Sequence, residues 1–365
     1  MPTLYKDWPA RKNKMTTAQI VKMYSEGYKG ARYDKESEER LAAEVEIAQA
    51  SDVAHSYGFA DSGKGKLSAP FIHVLNAYPK AWPGPAQERG SCVLHNGRNV
   101  LLGTLCAEVV AGLPDEGSGK REGFPKVSAV AEKNGVLAIE PGYWLRGHRG
   151  DGYSCPANMR DMIHTIGAVL RKDYPELNIN LEELDSKLAG KYHNKSQIPK
   201  QLLKGFGKNL IRSSTFADEM EEVRDLLWQD FFFSTCGSEG FSNKRDAHGV
   251  SSRKGRWAHA MAYIGFDDRP VVYELYGEPL VLVLNSWGTW NKGPREIVDS
   301  AKLVPKNKKE KYLRKNIVSK DSGNILIPKG TFWAKWSDLR NRTMIAAAGL
   351  EGWGRTKVDW SFEVR

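Results

Sequence analysis

The chain has 365 residues, 41% hydrophobic and 27% charged, with a formal net charge of +10. That apolar share supports a buried core and excludes a mostly disordered chain, and the length allows two domains or one catalytic unit with extensions. Its four cysteines are too few for a disulfide scaffold and none has a zinc-site spacing, so reduced thiols in a cytosolic setting are expected.

The positive balance reads as a Lys-rich solvated surface. The N-terminus lacks the basic-then-apolar pattern of a Sec signal peptide, and no apolar run approaches the length of a membrane span.

Residues 1–70 read as a polar, helix-leaning extension, either a docking arm or a pro-segment-like piece. Thr16 and Thr17 are placed to cap a short helix through Ile20, Val21 and Met23. Ser37 opens an Ala-rich helix through Leu41, Val45 and Ala48. Asp61 to Ser68, with Gly63 and Gly65, reads as a flexible linker.

From 71 to about 215 the chain leans helical. After Cys92, the residues Leu94, Leu101, Leu105 and Val109 share one helical face. Gly97, Gly103 and Ala107 lie between them, where a second element can come close. The Gly-rich stretch 112–119 ends that helix. Gly150, Asp151, Gly152 and Tyr153 form a turn ahead of a helix through Met159, Met162, Ile163 and Ile166.

From 216 to 365 the chain turns toward β. One more helix is expected over 216–228. Strands are expected near 231–235, 257–266, 271–276, 280–285 and 332–336, which are rich in aromatic and β-branched residues. A basic insert at 295–322 carries Lys306, Lys308, Lys309, Lys311, Arg314 and Lys315. A run of like charge reads as a solvated loop, so nucleic acid is not the expected partner.

Three local settings carry chemistry. Cys92 stands where a loop becomes a helix, and a helix N-terminus favours the thiolate. His259 sits in an apolar strand between Ala258 and Ala260, where it can pair with that thiolate and shuttle a proton. Asn285 ends the apolar run Leu282 to Leu284, followed by Ser286, Trp287, Gly288 and Thr289. Its side-chain oxygen can fix the orientation of an imidazole, and Trp287 can shield that bond from water. Gln87 can join the Cys92 backbone N–H as an oxyanion hole. Taken singly, each has an ordinary reading: a packed cysteine, a core histidine, a strand-ending asparagine, a core tryptophan, a surface glutamine.

Taken together and in this order, the motifs resemble the papain-like cysteine peptidases, over roughly Gln87 to Trp336. Gly90, Ser91 and Cys92 match the family's lead-in to its nucleophile. His259, Ala260 and Gly265 match its histidine strand, and Asn285 to Thr289 match its Asn-Ser-Trp-Gly-Thr motif. Gly150, Gly152 and Tyr153 look like its substrate-binding glycine turn.

The resemblance implies an α+β fold with two lobes, a helical one (about 71–215) carrying Cys92 and a β-barrel-like one (about 216–365) carrying His259 and Asn285. It implies a peptide or protein substrate, contacts from Gly150, Gly152, Tyr153 and Trp287, and no metal or organic cofactor. This sequence departs from the family pattern in a Gln87-to-Cys92 spacing one residue shorter than in papain, in Val93 where an aromatic is usual, and in the lack of evident equivalents of the family's extracellular disulfides.

The segments 236–249 and 330–336 look like papain-like domains encoded by tailed phages and bacteria. That likeness implies virion structural proteins as partners. It also opens a second reading, a non-catalytic virion-associated protein on a peptidase scaffold.

Overall fold

The computed structural model describes residues 31–32, 60–78, 81–111, 137–167, 169–207, 214–217, 219–304, 317–339 and 343–347. The helices expected before residue 60, the helix end at 112–119 and the basic residues from 306 to 315 lie outside the described residues.

Residues 71–207 carry six of the described helices: α1 (Phe71–Ala77), α2 (Cys92–Ala111), α3 (Glu140–Tyr143), α4 (Cys155–His164), α5 (Ser186–Lys191) and α6 (Lys200–Phe206). Short strands accompany them: β1 (Ala31–Arg32), β2 (Leu67–Ser68), β3 (Tyr153–Ser154), β4 (Asp173–Tyr174) and β5 (Ile179–Asn180). β1 pairs in parallel with β3 and also lies against the sheet of the second half.

That half holds β6 (Ser214–Phe216), α7 (Met220–Trp228), β7 (Phe233–Phe241), β8 (Arg253–Asp267), α8 (Pro270–Tyr276), β9 (Leu280–Leu284), β10 (Thr331–Lys335) and β11 (Thr343–Ala347). Its sheet runs β10-β9-β8-β7-β11-β6, with β2 added beside β8, and every pairing is antiparallel.

Both faces of this sheet are covered, which is why its strands read as continuous apolar runs. Ala262, Ile264, Leu282 and Leu284 pack with Phe71, Leu101 and Leu105 of α1 and α2. The alternate residues Met261, Tyr263, Val281 and Val283 pack with Leu226 and Leu227 of α7 and with Trp257, Trp287 and Phe332. The period of two along each strand sends successive side chains to opposite faces.

The sequence predicts one apolar face on α2, yet its residues from Cys92 to Ala107 are buried all round. The reason is its central position. A Cβ built on Gly97 would lie 2.6 Å from the Asn158 amide of α4, and one on Gly103 would lie 2.7 Å from the Phe232 ring. Two polar side chains of α2 donate within the core: Asn96 to Ser234 Oγ at 2.8 Å, and Thr104 to the Val100 carbonyl at 3.1 Å.

Three expectations need correction. Residues 271–276 are not a strand but α8, with Pro270 in its first turn and Gly277 left-handed at φ 77° just past its end. These are helix start and stop signals, and they outweigh the β-branched composition between them.

Residues 61–68 are not a free linker. The backbone N–H groups of Asp61 and Gly63 donate to the Asp225 carboxylate at 2.7 and 3.0 Å, and that of Gly65 to Asp268 at 2.7 Å. Leu67 then enters the core as part of β2.

Finally, the cysteines are not all reduced. Cys155 and Cys236 form a disulfide with a Cα–Cα distance of 6.3 Å across a sequence separation of 81. No local spacing announces a bond that long in sequence, and its presence removes the premise for a reducing compartment.

Candidate active site

Cys92 is the first residue of α2, so its sulfur sits at the positive end of a 20-residue helix. The N–H groups of Leu94 and His95 close the first turn onto the Ser91 carbonyl at 3.0 and 3.1 Å.

The chain before Cys92 is held by Asp151. This carboxylate accepts from Tyr143 Oη at 2.6 Å, from Arg89 Nε at 2.8 Å and from the Gly90 N–H at 3.4 Å. The Gly152 N–H donates to the Gly90 carbonyl at 3.0 Å. The turn at 150–153 is therefore bolted to the lead-in of Cys92. The sequence reading missed Asp151; a charged residue between two glycines was the available signal.

His259 lies in β8, and its Nε2 is 2.9 Å from Asn285 Oδ1. An amide oxygen only accepts, so Nε2 carries the hydrogen and Nδ1 is the basic nitrogen. Asn285 follows β9 directly, and its own N–H donates to the Gly330 carbonyl at 3.3 Å. The His259 ring stacks on Trp287 at 4.6 Å between centroids and 26° between planes. Trp257 and Trp290 pack edge-on against Trp287 at 4.8 and 5.2 Å. The histidine–asparagine pair is thus walled by aromatic rings, and both residues have 0% exposure.

Gln87 meets the segment after Asn285. Its N–H donates to the Ser286 carbonyl at 2.9 Å, and the Ser286 hydroxyl donates to Gln87 Oε1. With Oε1 so engaged, Nε2 is turned toward the chain entering α2 and donates to the Arg89 carbonyl at 3.0 Å. Ser286 is a second residue that sequence reasoning passed over.

His95, one turn along α2 from Cys92, is a third. It is 2% exposed and, among the described residues, its Nε2 has no hydrogen-bond partner. Burial, then the charges of Arg98, Arg171 and His259, lower its pKa to about 3. Cys92 and Ala260, the residue after His259 in β8, belong to one buried cluster.

The expected substrate contacts divide. The Tyr153 hydroxyl donates to the Leu145 carbonyl at 3.2 Å and pairs with Asp161, so this side chain faces the helical interior. Trp287 is fully buried against His259. The Gly150 carbonyl accepts from Arg146 Nε at 2.9 Å. The two side chains are committed to packing, Gly152 is buried with its N–H on the Gly90 carbonyl, and Gly150 is half-buried.

Neither a protein-family model nor a curated protein matches this sequence. Similar solved structures include xylellain, a cysteine protease from Xylella fastidiosa, at 12% identity over 73% of this chain and 81% of that one, with a TM-score of 0.38. Procathepsin B S9 from Trypanosoma congolense is 13% identical over 92% of this chain and 88% of its own, with a TM-score of 0.41. Digestive procathepsin L 3 of Tenebrio molitor larval midgut is 9% identical over 92% of this chain and all of its own (100%), with a TM-score of 0.37. These are loose similarities of chain path.

Proposed function

We propose that this chain is a papain-like thiol peptidase or amide hydrolase acting on peptide bonds. Cys92 is the nucleophile, His259 the proton carrier, Asn285 its orienting partner and Gln87 a donor of the oxyanion hole. The observation that carries this reading is the 2.9 Å hydrogen bond from His259 Nε2 to Asn285 Oδ1, because it leaves Nδ1 as the base. The helix start favours the thiolate that a His259 imidazolium would face.

In the reaction, the Cys92 thiolate adds to the scissile carbonyl carbon. The oxygen takes the electron pair and is met by Gln87 Nε2 and the Cys92 N–H. Collapse expels the amine, which takes the His259 proton, and leaves a thioester. Water, deprotonated by His259, adds to the thioester, and collapse releases the acid and restores the Cys92 thiolate–His259 imidazolium pair.

The test is thiol reactivity. Cys106, the other cysteine outside the disulfide, lies farther along α2 and is buried like Cys92; burial pushes its thiol well up. A small electrophile should therefore label Cys92 selectively and well below the ordinary thiol pKa of about 8.5. His259→Ala should abolish that acidic labelling. Equal, slow labelling of Cys92 and Cys106 would sink the proposal.

A further inference from the structure

We propose that the Cys155–Cys236 disulfide is a positioning element that holds the Cys92 half of the site in register with the His259 half. This rests on the catalytic reading above and concerns what aligns the pair.

The bond joins the segment that grips the Cys92 lead-in to the strand paired with His259. On one side, Cys155 opens α4 directly after β3, and two residues before β3 ends the Gly152 N–H grips the Gly90 carbonyl at 3.0 Å. Gly90 in turn leads into Cys92. On the other side, Cys236 of β7 pairs with Ala260, and the next residue, Gly237, pairs with His259 itself. Cys92, Cys155, Cys236 and Ala260 share one buried cluster. A short path therefore runs from the nucleophile through the disulfide to the base, and its central link is covalent.

Other links also join these parts: the Gln87–Ser286 pair ties the Cys92 lead-in to the residue after Asn285, and the Asn96–Ser234 hydrogen bond at 2.8 Å ties the second turn of α2 to β7. They and the surrounding core keep the halves associated when the disulfide is gone. None of these hydrogen bonds is made by the turn at 150–153 itself, so the fold should survive while the alignment of Cys92 and His259 loosens. Misplacement on the order of 1 Å lowers turnover by about 100-fold. The site then has a redox window: Cys92 must be reduced while Cys155–Cys236 stays oxidised. A dithiol that closes the window passes two electrons and two protons to the bond, leaving two thiols and its own disulfide.

The experiment begins with non-reducing peptide mapping of the full chain. A Cys155–Cys236 crosslinked peptide is expected, and its absence overturns the proposal. The pH profile of Cys92 alkylation is then compared between the parent and the Cys155→Ser/Cys236→Ser double variant, with melting curves to establish that both are folded. The proposal expects the variant's profile to move up by at least about one pH unit toward that of an ordinary thiol, with kcat on a peptide substrate falling more than KM rises. An unchanged profile in a folded variant assigns the bond a purely structural role and overturns the proposal.

Should the variant not fold, the same profile is taken on parent protein titrated with dithiothreitol until two further thiols appear, with the same two outcomes. The parent profile by itself tests the catalytic reading. If the parent shows no acidic labelling, both proposals fall; if only the difference between parent and variant is missing, the positioning role alone falls.

Discussion

His95 shows what a single buried polar group costs and how that cost reads out. Its folded pKa of about 3 lies below the ordinary 6.5, chiefly because burial disfavours the charged form. The unfolded chain therefore takes up the proton first. The stability tied to a neutral His95 is complete above about pH 6.5 and drains as pH falls toward 3, by up to about 1.4 kcal/mol per pH unit. His95→Phe should lose less stability than the parent between pH 7 and pH 4, measured as the shift of the urea midpoint.

Asn285 makes a second prediction at this scale. Asn285→Ala removes the acceptor that fixes the His259 tautomer. On the proposed mechanism kcat should fall roughly tenfold or more with a much smaller change in KM, measured by steady-state hydrolysis of a peptide amide. A normal kcat would mean that the Trp287 stack alone orients the ring.

Among the elements, α2 is where packing is tightest. Gly103 faces the Phe232 ring, and Phe232 is fully buried. Replacing an interior helical glycine with alanine ordinarily gains about 1 kcal/mol. Here the new methyl would sit 2.7 Å from the fully buried ring, so the ring must shift to admit it. Overpacking costs about 1–3 kcal/mol, so Gly103→Ala should be destabilising on balance, by about 1 kcal/mol in chemical denaturation.

The close-approach role of Gly97 and Gly103 was legible from their spacing. Their partners were not, because Asn158 and Phe232 lie far away in sequence. The opposite case is α8. Its residues have strand-like composition, yet a proline at one end and a left-handed glycine at the other decide the outcome. That signal was present in the sequence and was outweighed there by composition.

Across the whole molecule, the disulfide closes a loop between positions separated by 81 residues. On the chain-entropy account, a crosslink over a loop this long stabilises by on the order of 4 kcal/mol, mostly by restricting the unfolded chain. The Cys155→Ser/Cys236→Ser variant should therefore melt at a lower temperature than the oxidised parent. The parent in dithiothreitol should approach the variant once the bond is open. A variant with the parent's melting temperature would show that the unfolded chain gains nothing from losing the crosslink.

The sequence by itself determined the local periodicities and punctuation. The apolar runs that became β8, β9 and β10, the helix beginning at Cys92, and the asparagine placed directly after a strand follow from apolar and β-branched content, helical spacing and residue type, which act over a few residues. Only the tertiary structure decided which distant residues meet. It set Asp225 and Asp268 under the backbone of residues 61–65, Asp151 beneath the lead-in to Cys92, Ser286 against Gln87, and Cys155 against Cys236. The physical reason is that a buried carboxylate, amide or thiol takes whichever partner the packed core brings within bonding distance. That choice depends on how sheet and helices stack, and sequence spacing does not encode it.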